Sequence, residues 1–106
     1  MFDLFILNNN IPVETVGDGV TRQILGYDKD IMLVKVNFIK GSIGSLHSHP
    51  HVQASYIESG KFEVTIGNEK KILEKGDSFF APSGIEHGLV CLEDGTVLDC
   101  FSPIRE

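Results

Sequence analysis

The clearest apolar pattern in this chain is the two-residue alternation of a β-strand. In residues 31–39, IMLVKVNFI, apolar side chains occupy every second position from Met32 to Phe38, with Lys35 and Asn37 between them. Successive side chains of a strand point to opposite faces, so this segment is expected to bury one face and expose the other. No segment shows a convincing helical period. The sequence therefore predicts an all-β fold.

Turn-forming residues divide the rest of the chain into short segments. Turn signals recur about every eight to twelve residues, which is typical of β-sandwiches and barrels. Gly67-Asn68 predicts a two-residue hairpin that begins with glycine, and residues 93–95 are expected to join the last two strands as a turn. Ser59-Gly60 is expected to close another strand. Residues 1–20 are irregular and are assigned to an N-terminal arm and the first strands. The other predicted strands cover residues 21–26, 31–39, 52–59, 62–66, 69–73, 78–81, 87–92 and 96–102.

Length, composition and charge exclude several classes of protein. The 106 residues suit a single domain, residues 1–106, and no apolar run is long enough to cross a bilayer. A net charge of −6 argues against a nucleic-acid partner and against a cationic membrane-surface protein. The N-terminus has neither the basic flank nor the cleavage site of a secretory signal. We therefore expect a cytoplasmic protein with Cys91 and Cys100 as reduced thiols.

Three histidines and a glutamine form a candidate metal site. His47 and His49 are two residues apart, so on a strand they would point to the same side. Gln53 follows four residues after His49, and His87 is a fourth candidate from a distant part of the chain. Imidazole nitrogens and an amide oxygen are suitable ligands for a divalent transition metal.

The remaining histidine of this stretch, His51, is assigned no ligand role. Alternation alone would place it with the other two histidines. However, it follows Pro50, which interrupts the strand register. We therefore expect His51 to be an ordinary polar residue.

The orientation of Asp99 is left open by the sequence. Alternation puts Val97, Asp99 and Phe101 on one strand face, with Leu98 and Cys100 on the other. If the first face lines the interior, Asp99 is a buried carboxylate that requires a cation, a metal or a donor. If the second face does so, Asp99 lies in water.

The spacing of two segments resembles the two motifs of the cupin superfamily. Residues 41–60 carry the first motif, G-x5-H-x-H-x3-Q-x6-G, with Gln53 in the place of the usual glutamate. Residues 76–91 carry the second, G-x5-P-x-G-x2-H, with Cys91 in the place of the customary asparagine. The resemblance implies a single-domain cupin with a double-stranded β-helix, or jelly-roll, barrel. It also implies a metal bound by His47, His49, Gln53 and His87.

Other segments resemble small cupins of pectin and alginate breakdown. The tail D-x-F-x-P-x-R, the segment HSHPH and residues 21–36 carry this likeness. Those proteins convert 4,5-unsaturated monouronates to linear keto-uronates. The resemblance implies that Asp99 transfers a proton, that Phe101 lines the substrate pocket and that Arg105 binds the substrate carboxylate. The alternative for Arg105 is a solvated terminal charge.

The ligand set bears on the chemistry of the ion. Three neutral imidazoles and a neutral amide leave the charge of the ion uncompensated, which favours an anionic ligand. The set also lacks the two-histidine, one-carboxylate combination that often activates oxygen on iron. We expect one divalent transition metal ion, zinc or nickel, with iron, manganese or cobalt as alternatives.

These observations together favour a metal-dependent ring-opening isomerase of unsaturated monouronates, with a small anionic sugar acid as substrate. Two alternatives stay open: a non-catalytic cupin that binds a metal and a small anion, and a three-histidine iron dioxygenase. A homodimer is expected, with the N-terminal patch MFDLFIL as a contact. Alternatively, Phe2, Leu4 and Phe5 cap the protein's own barrel.

Overall fold

The computed structural model describes residues 3–105, and within them the fold is built from antiparallel strands in one curved sheet. A single 3-10 turn at Asn8–Asn10 precedes the strands. The all-β prediction is therefore confirmed. The strands are β1 (Glu14–Gly17), β2 (Val20–Tyr27), β3 (Met32–Phe38), β4 (Ile43–His47), β5 (Val52–Ile66), β6 (Glu69–Glu74), β7 (Ser78–Ala81) and β8 (His87–Ser102).

Two long strands, β5 and β8, connect the two halves of the barrel. The first half of β5 pairs with β7 and with the second half of β8, which also pairs with β3. The second half of β5 pairs with β6 and with the first half of β8, which also pairs with β4. Each long strand thus passes from one half to the other, and the inner faces of both halves surround a common interior.

The two breaks predicted within these strands are wrong. Neither Ser59-Gly60 nor residues 93–95 form a turn between strands, because β5 and β8 both continue through these positions with register shifts. A Cβ atom at Gly95 would clash with Ser59 O, and one at Gly60 would lie 2.6 Å from Asp94 O. The two glycines therefore allow the backbones to approach closely where the long strands bulge.

The alternation predicted for residues 31–39 is confirmed. Met32, Val34, Val36 and Phe38 are buried, whereas the residues between them are exposed or half-buried. The hairpin at Gly67-Asn68 is also confirmed, with Gly67 at φ 60° between the paired residues of β5 and β6. The core is the set of buried apolar side chains Val20, Met32, Val34, Val36, Phe38, Ile57, Phe62, Val64, Cys91, Val97 and Phe101.

Leu4 and Phe5 at the start of the chain do not cap the barrel. Each is 86% exposed, so the alternative in which these two residues cap the interior is wrong. Phe2 lies outside the described residues. Cys91 and Cys100 are free thiols, as predicted. Among residues 3–105, no helix has the length and apolar character that a membrane span requires.

Candidate metal site and substrate cavity

A cavity of about 640 Å³ opens between the two halves of the barrel. Residues of β1 to β5, β7 and β8 line it. This volume falls within the range of small-molecule sites, and its wall combines apolar residues with a few polar ones, which is typical of such sites.

Three histidines converge beside this cavity. His47 ends β4 and is the register partner of His87, the first residue of β8. Their ring centroids are 4.5 Å apart, and the His49 ring lies 5.3 Å from that of His47 and 4.8 Å from that of His87. One nitrogen from each ring lies within 4.8 Å of the others. The structure thus brings together the three histidines that the sequence singled out.

The route by which His49 joins the cluster differs from the predicted one. Strand alternation was the expected reason, but β4 ends at His47 and His49 lies in the loop that follows. Hydrogen bonds from Nδ1 to backbone carbonyls orient all three rings instead. The acceptors lie two residues away along the chain: Ser45 for His47 at 2.7 Å, His51 for His49 at 2.9 Å and Ile85 for His87 at 2.9 Å.

These hydrogen bonds fix the tautomer of each ring. A carbonyl oxygen can only accept, so Nδ1 carries the proton and Nε2 presents a lone pair. Burial also lowers the pKa of His49 and of His87, which favours the neutral form of both rings. Hydrogen bonding of the distal nitrogen to a carbonyl is the usual way in which proteins orient metal-ligating histidines.

Gln53 completes the cluster with its amide oxygen. Gln53 Oε1 lies 3.2 Å from His49 Nε2 and 3.1 Å from His87 Nε2. The amide orientation is defined on its other side, because Gln53 Nε2 donates to Ser55 Oγ at 3.0 Å and to Asp99 Oδ1 at 3.2 Å. The lone pairs of an oxygen and two nitrogens therefore face one another without a proton between them.

The donor set fits a divalent transition metal. A bound cation would relieve the repulsion among the converging lone pairs and would supply a partner for His47 Nε2, which is buried and has no hydrogen bond. Three imidazoles and one neutral oxygen match the ligand types that zinc and its neighbours in the first transition row accept.

Asp99 lies on the inner face of β8 together with Val97 and Phe101. Of the two orientations that the sequence left open, the structure shows the inward one. Its Oδ1 accepts hydrogen bonds from Ser55 Oγ and from Gln53 Nε2. Burial raises the pKa of Asp99, while these two hydrogen bonds oppose the rise. The carboxylate is thus connected to the histidine cluster through one amide group.

Phe101 and Arg105 extend the site toward the C-terminal tail, which we define as residues 103–105. Phe101 is buried, and its ring centroid lies 5.8 Å from that of His49. The Arg105 guanidinium lies over the Phe101 ring, 5.4 Å from its centroid, which is within cation–π range. Arg105 also lines the cavity, and burial lowers its pKa. It is therefore part of the cavity wall.

Two residues of the site were missed from the sequence. Ser55 shares the inner face of β5 with Gln53, and the alternation of that strand was a signal that could have found it. Arg22 lines the same cavity as Arg105, and its Nε lies 3.4 Å from Glu14 Oε1. The signal for Arg22 was its rarity, because the chain has only these two arginines.

Comparisons with known proteins identify the family. Residues 34–101 match the family model described as the cupin domain. The chain belongs to the cupin family. The pectin degradation protein KdgF of Dickeya dadantii is 45% identical to this cupin over 103 residues, which are 95% of this chain and 94% of the relative.

Solved structures agree with this assignment. KdgF from a Halomonas species has a TM-score of 0.93 and 40% identity to this cupin, covering 98% of this chain and 96% of that one. An RmlC-like cupin from Shewanella frigidimarina has a TM-score of 0.95 and 41% identity, covering 98% and 94%. The predicted jelly-roll barrel and the likeness to pectin-degradation cupins are confirmed, whereas the division of residues 1–106 into motifs and arm stays a prediction.

Proposed function

We propose that this cupin is a metal-dependent isomerase that opens the ring of 4,5-unsaturated monouronates and yields linear keto-uronates. The observation that carries the proposal is the hydrogen bond from Gln53 Nε2 to Asp99 Oδ1 at 3.2 Å. It joins a candidate metal ligand to a candidate proton-transfer residue inside one cavity. The identity of 45% to a pectin degradation protein supports the same substrate class.

His47, His49, His87 and Gln53 would hold the ion. When bound, a divalent cation supplies Lewis acidity for substrate oxygens, with no ligand charge to weaken it. We propose zinc or nickel, with iron, manganese and cobalt as alternatives to be decided by metal analysis.

Arg105 binds the substrate carboxylate in this proposal. A planar guanidinium can donate two parallel hydrogen bonds to a carboxylate, and its position on Phe101 orients that fork. Arg22 adds positive charge to the same wall in a protein with a net charge of −6. The two guanidiniums are thus local positive groups for a small anion, although Asp18 and Asp99 also line the cavity and Glu14 lies beside Arg22.

Asp99 moves the proton that the isomerisation requires. As a base it takes the proton of the anomeric hydroxyl, the bond between C1 and the ring oxygen breaks, and C1 becomes an aldehyde. The former ring oxygen remains on C5 as an enolate, and the proton is delivered to C4 as this enolate becomes a ketone. No atom is gained or lost. Because burial raises its pKa, Asp99 is a stronger base in the first step than an exposed carboxylate, and it retains the proton until the proton is delivered to C4.

The test follows the loss of the ring alkene signal of 4,5-unsaturated galacturonate by NMR. The metal-loaded protein should accelerate this loss well beyond the spontaneous rate. Asp99→Asn should abolish the acceleration while metal content stays unchanged, and Glu58→Gln, on an exposed position of β5, is the matched control. Metal-loaded protein that gives only the spontaneous rate would refute the proposal.

Two measurements separate the alternatives. In the NMR experiment a binding cupin without catalysis would retain metal and anion but not accelerate the reaction. A dioxygenase would instead be identified by oxygen uptake of the iron-loaded protein. An outward-facing Asp99 and a disordered Arg105 would favour the binding cupin, yet both residues line the cavity. This placement supports the isomerase.

The homodimer, the absence of nucleic-acid and membrane partners and the cytoplasmic location stay predictions. Exposed apolar residues on the arm and on the outer sheet face, such as Leu4, Phe5, Leu33 and Phe80, are consistent with a paired surface. Light scattering of the purified protein measures the oligomeric state directly.

A further inference from the structure

His51 connects the two parts of the site. Its Nε2 lies 3.0 Å from the carbonyl oxygen of Ile104, the residue before Arg105. A carbonyl can only accept, so Nε2 carries the proton and donates it to the tail. His51 belongs to the loop between β4 and β5, residues 48–51, which also carries His49.

The backbone of His51 acts on the metal site at the same time. Its carbonyl oxygen accepts the Nδ1–H of His49 at 2.9 Å. One residue therefore orients a candidate metal ligand through its main chain and holds the tail through its side chain. His51 is not a member of the three-histidine cluster itself.

The other hydrogen bonds of this region hold the tail from a different side. Ile104 N donates to Lys29 O at 3.1 Å, and Ser102 Oγ donates to Asp30 O at 2.8 Å. Both acceptors lie in the turn between β2 and β3. The Ile104 side chain also packs against the core. Without the His51 side chain the tail would remain attached to this turn but would lose its link to the loop that carries His49.

We infer that His51 is a positioning residue that sets the location of Arg105 relative to the histidine cluster. The inference rests on the proposed function, in which Arg105 binds the substrate carboxylate. A fixed separation between the ion and the guanidinium then selects a uronate of one length and orientation. The inference gives each histidine of the motif His-x-His-Pro-His a role: the first two belong to the cluster that would hold the ion, and the third holds the carboxylate anchor.

A matched set of variants separates the hydrogen bond from simple packing. The His51 ring also contacts His49, with centroids 5.5 Å apart, so loss of the ring alone could have effects. The amide nitrogen of glutamine in His51→Gln reaches about as far as Nε2 and can donate, whereas that of asparagine in His51→Asn is one bond shorter. Both variants lack the ring. If packing alone mattered, the two variants would behave alike.

The first measurement does not depend on turnover. Relaxation of the backbone amide 15N of Arg105 and of its side-chain Nε–H should show increased mobility in His51→Asn and wild-type behaviour in His51→Gln. The melting temperature and the metal content of each variant are measured in parallel. Equal mobility of Arg105 in the wild type and in His51→Asn would overturn the inference.

The second measurement is functional. In His51→Asn, KM for the unsaturated uronate should rise about tenfold with kcat nearly unchanged, because binding of the carboxylate is weakened equally in the ground and transition states. The Kd for saturated galacturonate, a non-reacting probe, should rise by about the same factor. In an Arg105→Met background, His51→Asn should add nothing. A further rise in that background would refute action through Arg105. If the wild type shows no turnover, the proposed function fails, but the galacturonate titration and the relaxation data still decide the role of His51.

Discussion

The replacement Gln53→Glu tests the central contact of the site. Glutamate is the usual residue at this place in the cupin motif that residues 41–60 resemble, so by ligand chemistry alone the variant should bind a divalent metal at least as tightly. In this protein, however, the amide nitrogen of Gln53 donates to Asp99 Oδ1 at 3.2 Å. Glutamate would place a second carboxylate oxygen at that position.

The magnitude of the conflict follows from that distance. At 3.2 Å and an effective dielectric constant of about 20, two unit charges repel by about 5 kcal/mol. Water in the open cavity reduces this value, but burial already raises the pKa of Asp99. The pair should therefore keep one proton at neutral pH, as closely spaced carboxylates do. Asp99 would then not be available as a base.

Two assays measure the effect. Turnover of the unsaturated uronate by the metal-loaded variant should fall by about a hundredfold or more, the usual contribution of a positioned acid or base. In the metal-free variant the carboxylate pair has a raised pKa. Its favourable contribution to the free energy of unfolding should therefore be present at acidic pH and be lost as the pH rises toward neutrality. Urea unfolding at several pH values, compared with wild type, measures that loss.

The exchange variant Gln53→Glu/Asp99→Asn is the control. It reverses the positions of amide and carboxylate, so the hydrogen bond and the stability at neutral pH should return while turnover stays absent. Metal-loaded Gln53→Glu with wild-type turnover would refute the reasoning. Equal pH profiles of unfolding for that variant and the wild type would contradict it as well.

Three further predictions follow from the cavity and the core. Arg105→Met should lower kcat/KM by about 10- to 100-fold through loss of a charged hydrogen bond to the substrate carboxylate. Arg22→Met should lower kcat/KM less, because Glu14 Oε1 already lies 3.4 Å from Arg22 Nε. Steady-state kinetics on both variants measure the difference. Removal of metal by a chelator should lower the melting temperature by about 10 °C or more, since an ion present at about 100 times its Kd contributes about 2.7 kcal/mol, and calorimetry before and after reloading with zinc checks this. Burial raises the pKa of the Cys91 thiol. The stabilisation from the buried thiol should therefore be present below about pH 8.5, the ordinary thiol pKa, and be lost as the pH rises further. In urea unfolding, the free energy of unfolding should decline less at alkaline pH for Cys91→Ala than for wild type.

The sequence predicted those parts of the structure that depend on local patterns. Alternation in residues 31–39 identified the buried face of β3, because strand geometry alone determines it. The spacing of His47, His49, Gln53 and His87 identified a cluster whose members come from β4, a loop, β5 and β8. In that case the resemblance to a family, rather than the local pattern, supplied the long-range pairing.

The errors arose where a local signal had a long-range cause. Gly60 and Gly95 have the composition of turns, but they are needed because two long strands approach each other closely, and neither segment contains that information alone. Pro50 correctly indicated that the strand alternation does not continue to His51, which lies between β4 and β5. No local signal shows that the carbonyl of Ile104, 53 residues further along the chain, accepts a hydrogen bond from the His51 side chain.

The structure also gives a reason for glutamine at position 53. A glutamate there would bind the ion more strongly, but its second oxygen would compete with Asp99 for the same proton. Glutamine turns an acceptor oxygen toward the histidines on one side and a donor toward Asp99 on the other, so it would ligate an ion while leaving Asp99 ionisable. A neutral ligand at position 53 and an acid at position 99 therefore depend on each other. Asp99→Asn should therefore remove the penalty of Gln53→Glu on stability, and a double-mutant cycle over the two positions should give a large favourable coupling.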